Sequence, residues 1–322
     1  MAKRNTLLLL FFLFTGSKSV IASSEVVGCR VFSHENTAYF VTSERIIEYS
    51  SDARNARQLV PDIMHPGDSI EDIVLFEDYL FIVTESGIHS FSSAAKSFEK
   101  IEFVGSKPSK GRLAVDYDYL WLSAGRKLWR YDRLGREWFS FVIPDTLDTI
   151  IGAHSDEDYV YLASTEGIGR FSIIDEKWRF FPLPAKVSGQ STWRVSGGTL
   201  FLIDAHTIRL FSPAQESWET VLTSLPINDL FIADDFLYLS TKKNVYRYDI
   251  TTSVLRPADA EIFSGINAFT VCNDTLLIPQ QNSLVKYDFA SRRTSFLSLP
   301  RDFPATNEII RMAPIGNQVV FV

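Results

Sequence analysis

Five histidines and a scatter of acids, lysines and hydroxyls are the residues of this chain with chemistry to offer. The histidines are His34, His65, His89, His154 and His206. Two or three of them converging with Asp or Glu would form a metal site or an acid–base pair, because imidazole nitrogen and carboxylate oxygen are ligands that zinc and similar ions accept. No local motif gathers them. The chain has no H-E-x-x-H, no G-x-S-x-G, no phosphate loop and no G-x-G-x-x-G. Ser93 and Lys96 carry the spacing of a serine nucleophile and its lysine, but they fall in the polar turn "SSAAKS", where no helix presents one to the other. The sequence therefore names no catalytic residue, no metal ligands and no cofactor.

Binding chemistry has a better address. Short polar turns, each set between two apolar runs, carry Glu44 and Arg45, then Glu85, then Arg126 and Lys127, then Glu166. The series continues with Asp204 and His206, with Lys242 and Lys243, and with Gln280. Longer polar links accompany them, among them Pro61–Ser69 and Pro257–Gly265. The signs are mixed. Any one of these side chains is what a solvated rim would show. Their recurrence at one place in the pattern marks a face that could hold a protein, peptide or saccharide on loops above a rigid scaffold.

The scaffold is visible as a repeat. An Asp, Asn or Gly precedes a short apolar run at Asn36, Asp78, Asp118, Asp158, Gly198, Asp235, Asp274 and Asn317. The spacings are 42, 40, 40, 40, 37, 39 and 43 residues. Thirteen residues after each of the first seven anchors stands an aromatic: Tyr49, Phe91, Tyr131, Phe171, Phe211, Tyr248 and Tyr287. Seven further on come Phe98, Trp138, Trp178 and Trp218, while Ala56 and Thr294 hold that place in the outer repeats.

Within each repeat the apolar runs are short and separated by turn residues, as in "DYLFIVTESGIHSF" and "DYLWLSAGRKLWRY". Another apolar run precedes the anchor, and a last one, such as "REWFSFVIP", ends at proline, where strand pairing can stop. That gives four antiparallel strands per unit of about 40 residues, the pattern of an all-β β-propeller. A lone four-stranded sheet cannot bury both faces, whereas stacked blades cover one another. The recurrent aromatics, Trp138, Trp178 and Trp218 included, are thus expected as core between blades. Seven complete repeats predict seven blades. Residues 307–322 begin another repeat. They either start an eighth blade, with Ser23–Val27 pairing from the N-terminus, or staple onto the first blade, or are cut from a longer array.

The turns "TESGIHSF" and "STEGIGRF" and the segment "LWRYDRLGREW" resemble the two-component-regulator propeller repeats, the periplasmic sensor blades of hybrid histidine kinases. The resemblance runs over residues 28–306 and lacks the Trp-Ile-Gly-Thr motif often found in those blades. It implies an extracytoplasmic propeller that binds a ligand. Two other readings remain open: a propeller lyase or hydrolase with a metal or acid–base group in the central channel, and a sensor domain cut from a longer protein.

Residues 1–22 read as a secretory signal, with Lys3 and Arg4 before an apolar stretch from Leu7 to Phe14, and Val20 and Ala22 as small residues ahead of a cleavage point. Eight apolar residues span about 12 Å as a helix, against roughly 30 Å for a bilayer core. The Val26–Cys29 stretch "VVGC" has the look of a lipidation site, but polar residues from Thr15 to Glu25 separate it from the apolar stretch. Cleavage removes Lys3, Arg4 and Lys18 and no acid, moving the net charge from −7 to −10. So acidic a chain, residues 23–322, is poorly suited to nucleic acid or to anionic membrane surfaces. The two cysteines, Cys29 and Cys272, would be a disulfide in an oxidising compartment or a pair of buried thiols. N-terminal sequencing of the exported protein should begin near Ser23; an intact Met1, or a lipid on Cys29, would contradict this reading.

Overall fold

The computed structural model describes residues 24–26, 29–34, 37–41, 46–50, 55–59, 69–103, 111–185, 192–196, 199–204, 206–222, 226–233, 236–241, 244–258, 269–272, 275–280, 283–298, 312–315 and 318–321. All regular structure among them is β-strand, and no helix is long and apolar enough to cross a membrane. The signal segment 1–22 and residues Glu44, Arg45, His65, Lys242 and Lys243 lie outside the described residues. So do the side chains of His34, Cys29, Cys272 and Gln280.

Each repeat folds as expected. The third comprises Arg112–Val115, Tyr119–Ala124, Lys127–Asp132 and Trp138–Val142, paired antiparallel in chain order. The fourth, Ile150–Ser155, Tyr159–Ser164, Gly167–Ser172 and Trp178–Pro182, repeats it strand for strand. Six such four-stranded sheets, one five-stranded sheet and one two-stranded sheet are formed by the described residues. These are propeller blades. The fifth strand is Ser24–Val26, which pairs with Cys29–His34 of the first blade and not with the C-terminal strands. Met312–Ile315 and Gln318–Phe321 pair with each other as a sheet of their own.

The chain divides into two compact units, Val60–Leu222 and Met1–Leu59 with Thr223–Val322. In the first unit the opening strands of the second to fifth blades lie side by side in sequence order. Side chains bridge them: Asp72 accepts from the Leu113 amide at 2.8 Å and Glu71 from the Gly111 amide at 3.1 Å. Because both contacts join the beginnings of their strands, the second and third blades run in the same direction; the Arg130–Glu176 pair and the packing of Trp193 on Gly152 align the fourth and fifth with them. In the second unit Ile227–Ala233 lies against Thr270–Cys272, and Met312–Ile315 contacts both Thr270–Cys272 and Cys29–His34.

The interface between the third and fourth blades shows what the repeating aromatics do. Phe171, fully buried, meets Trp121 at 6.1 Å and Phe141 at 4.7 Å from the preceding blade, and Trp178 at 5.0 Å from its own. One blade later Phe211 meets Phe181 at 4.9 Å and Trp218 at 5.1 Å. Phe91, Tyr248 and Tyr287 are likewise buried, and Tyr131 is half-buried against Trp138 at 4.9 Å. Trp138, Trp178 and Trp218 pack onto these clusters but stay half-buried, since they stand on each blade's last strand, where one flank meets solvent. Trp121, on the second strand, has no exposed surface and donates its indole N–H to Asp116 at 2.7 Å.

The hairpin between third and fourth strands is built the same way in six repeats. A Ser or Asp fourteen residues after the anchor accepts, through its side-chain oxygen, the amide three residues on: Ser92 from Ala95, Asp132 from Gly135, Ser172 from Asp175, Ser212 from Gln215, Asp249 from Thr252 and Asp288 from Ser291. Four residues further, Lys96, Arg136, Glu176, Glu216, Ser253 and Arg292 all take positive φ, between 51° and 57°. A left-handed residue closes such a loop, and the side-chain bond inside it offsets the steric cost of a non-glycine there.

Truncation of Trp121 to Ala should cost about 3–5 kcal/mol, the usual range for a fully buried Trp. At about 2 °C per kcal/mol for a chain of this size the melting temperature falls by roughly 6–10 °C. Trp178→Ala should cost less than half as much. Equal losses in a thermal melt would contradict the difference in burial.

Candidate functional site

The turn between second and third strands is held by its own hydroxyl. Six residues after the anchor, Ser164 accepts from the amides of Glu166 at 3.3 Å and Gly167 at 3.2 Å, and donates to the Gly167 carbonyl at 3.0 Å. Thr241 makes the corresponding pair of bonds with Asn244, at 3.0 and 3.1 Å. Thr84 hydrogen-bonds Ser86 at 3.0 Å. The third blade has Ala124 at this place and closes instead with the two-residue turn Gly125-Arg126, Gly125 at φ 60°. Glycine at the first position is what a type II′ hairpin requires.

These turns sit at the end of each sheet where the first strand begins, as the pairing of Arg112 with Ser123 shows. Since the blades of Val60–Leu222 run in the same direction, Glu85, Arg126, Lys127, Glu166, Asp204 and His206 all belong to one end of that unit. Glu85 is exposed and accepts from the Ser69 hydroxyl at 3.3 Å. Arg126 is turned back on its own blade, donating to the Ile143 carbonyl at 3.2 Å and pairing with Asp145. Lys127 lies 4.9 Å over the Trp129 ring. Glu166 and His206 are exposed and Asp204 is half-buried. Gln280 ends its strand opposite Ser283.

At the opposite end, ion pairs tie blade to blade. Arg170 reaches Glu216 at 2.8 Å, Arg179 shares that carboxylate, Arg136 meets Glu99 at 3.2 Å and Arg130 lies 3.9 Å from Glu176. Glu176, Glu216 and Arg136 are the positive-φ residues of their hairpins, so the left-handed turn aims them at the neighbouring blade. Arg130 and Arg170 also lie over rings, Tyr119 at 5.0 Å and Tyr159 at 4.6 Å.

The groups most altered by their surroundings belong to the frame. Asp116, two residues before its anchor, accepts from the amides of Asp118 and Tyr119 and from Trp121. Burial nonetheless raises its carboxyl above the ordinary range, the Trp121 bond pulling the other way. Asp156 makes the same two backbone contacts, at 3.0 and 2.7 Å. Beside it the His154 ring stacks on Tyr161, centroids 6.2 Å apart and planes at 20°. Burial lowers the imidazole to about 4, with Asp156 acting in the opposite sense. The Tyr161 hydroxyl is pushed up, first by burial and then by Asp156. His89, buried on the second blade, and exposed His206 occupy other repeat positions. Among the described residues no three His, Cys, Asp or Glu side chains gather as metal ligands. Ser93 and Lys96 lie in a hairpin turn, with Lys96 at its positive-φ position. The structural Asp at Asp116 and Asp156 was legible as the recurring "D-x-D-Y".

Several solved structures share this fold. The extracellular domain of BT4673 from B. thetaiotaomicron is 14% identical with a TM-score of 0.54, covering 94% of this chain and 50% of its own. The computationally designed Ika8 protein is 11% identical with a TM-score of 0.57, covering 96% and 98%. Apo AztD from Citrobacter koseri is 12% identical with a TM-score of 0.61, covering 89% and 94%. The chain spans about half the length of the BT4673 domain. No protein-family description and no curated protein matches it. At these identities the likeness establishes the fold.

His154 gives a pH test. A histidine with a lowered folded value leaves the unfolded chain holding more protons between about 4 and 6.5, so stability is lost as pH falls through that window. A displacement of this size corresponds to about 3 kcal/mol. Denaturant titrations from pH 4 to 7 should show His154→Phe, which keeps a ring on Tyr161, with a visibly flatter slope than the parent. Identical slopes would contradict the burial of this imidazole.

Proposed function

We propose that this chain is an exported, non-catalytic β-propeller that binds a protein, peptide or saccharide through the turns at one end of its blades. One observation carries the reading. The frame positions are the same type in blade after blade, whereas the turns at that end change freely: Glu85, then Arg126 and Lys127, then Glu166, then Asp204 and His206. A rigid frame with varied polar tips is the arrangement loop-borne recognition uses. Residues 1–22 as a leader and 23–322 as the propeller agree with it, as does the fold shared with an extracellular domain. Location outside the cytoplasm, secreted or periplasmic, follows from the same proposal. Glu44, Arg45, Lys242, Lys243 and Gln280 extend the candidate set in the other unit.

Purified 23–322 protein is to be screened against panels of soluble saccharides and peptides, and hits measured by calorimetry. Glu85→Ala, Lys127→Ala, Glu166→Ala and His206→Ala combined should weaken binding at least tenfold. Each is a surface change worth within about 0.5 kcal/mol of stability, so the melting temperature should move by only a few degrees at most. Arg126 is left intact because it holds the exit of its own blade. Binding untouched by the four changes, or conversion of a bound compound to product, would contradict the proposal.

A further inference from the structure

Arg209 breaks the pattern that Arg130, Arg170 and Arg247, the third-strand arginines of three other blades, follow. It stands on the third strand of the fifth blade, Thr207–Ser212, and only 8% of its surface is exposed. Arg130 and Arg170 each meet a carboxylate and aromatic faces, and Arg247 lies over Phe236 at 4.4 Å and Phe289 at 4.8 Å. Those three stand one place later in the repeat and so point to the opposite side of the sheet. Arg209 has neither kind of partner among the described residues, and its Nη1 is buried without a hydrogen bond.

Its side of the sheet can be fixed. Leu202 pairs with Arg209 on one hand and with Trp193 on the other, so the three share a face. Trp193 covers Gly152 of the fourth blade so closely that an added Cβ would lie 2.2 Å from its ring, and it belongs to the same cluster as Ile168 and Phe181. The face therefore looks into the seam between blades four and five. The Trp193 indole N–H is a second buried donor there without a partner. The link joining these blades, residues 183–191, reads "LPAKVSGQS" and contains no Asp or Glu. Glu216 is taken by Arg170 and Arg179.

A guanidinium does not shed its proton on burial, and a buried charge without a counter-charge is costly. We infer that Arg209 is the recognition residue of a ligand site in the seam between the fourth and fifth blades, and that it takes a carboxylate. The planar fork suits a carboxylate in two-point contact. One guanidinium at the site, in a protein whose net charge over residues 23–322 is −10, favours one negative charge over a doubly charged anion. The site lies between blades and not in the turns, so it stands or falls separately from the turn-face reading.

The test uses purified 23–322 protein, melted with acetate, propionate or benzoate, each singly charged, at constant ionic strength. Phosphate and sulfate serve as controls. The parent should gain melting temperature with at least one carboxylate and gain less with phosphate or sulfate. Arg209→Met should melt at least about 2 °C higher than the parent without ligand, since it removes an uncompensated charge at similar volume, and should lose the carboxylate response. Arg209→Lys should keep the fold but lose most of the response, because it lacks the fork. The four-turn variant should respond like the parent. The inference is overturned if Arg209→Met melts lower than the parent or fails to fold, if no carboxylate stabilises the parent, or if phosphate and sulfate act equally.

Discussion

A four-stranded sheet with two apolar faces is the constraint on which the rest of this protein depends. Neither face can be left to water, and the chain has no helix among its described residues to cover them. The answer is the next copy of the same sheet. Phe171 shows the mechanism at one seam, held between Trp121 and Phe141 of the blade before and Trp178 of its own. The spacing of about 40 residues follows from that packing, because each seam needs its aromatic at the same depth.

Much of this was legible from residue spacing alone. The aromatic thirteen places after the anchor predicts a seam residue, and Phe91, Phe171, Phe211, Tyr248 and Tyr287 are buried accordingly. Spacing says less about depth. Trp138, Trp178 and Trp218 share a repeat position and a seam, yet stand on the outermost strand and keep part of their surface in solvent, while Trp121 on the second strand does not. A type-and-interval pattern marks which interface a side chain serves; strand order within the sheet decides how far it is buried. The Ser or Asp at fourteen and the left-handed residue at eighteen were hidden for another reason. Their chemistry lies in backbone geometry, and Lys, Arg, Glu and Ser all fill the positive-φ place, so residue type gives no signal.

The candidate site divides the same way. That Glu85, Arg126, Glu166 and His206 share one end of their unit followed from the repeat once the blades were known to run in one direction. That Arg126 is spent on its own blade did not, since its partner Asp145 lies beyond Pro144, where the blade's last strand has ended, and outside the repeat logic. Nor did Arg209, which differs from Arg130 and Arg170 by one residue of register, a step that sends a side chain to the other face of a strand. His154 was visible as a histidine near the end of an opening strand. Its stacking on Tyr161 is a cross-strand contact within the fourth blade, and the burial that lowers its imidazole comes with the packed sheet.

The central claim is that blades are stable only through their neighbours, and hydrogen exchange in the native protein tests it most directly. Amides of Leu120 and Leu122, Val160 and Leu162, and Leu200 and Leu202 lie in the second strands of three successive blades and are buried. If the seams carry the stability, these amides should exchange through one shared opening, with the same free energy within about 0.5 kcal/mol, while amides near Glu85 and Glu166 exchange far more easily. Distinct opening energies for each blade, stepping from one second strand to the next, would contradict it and would mean that each sheet stands on its own.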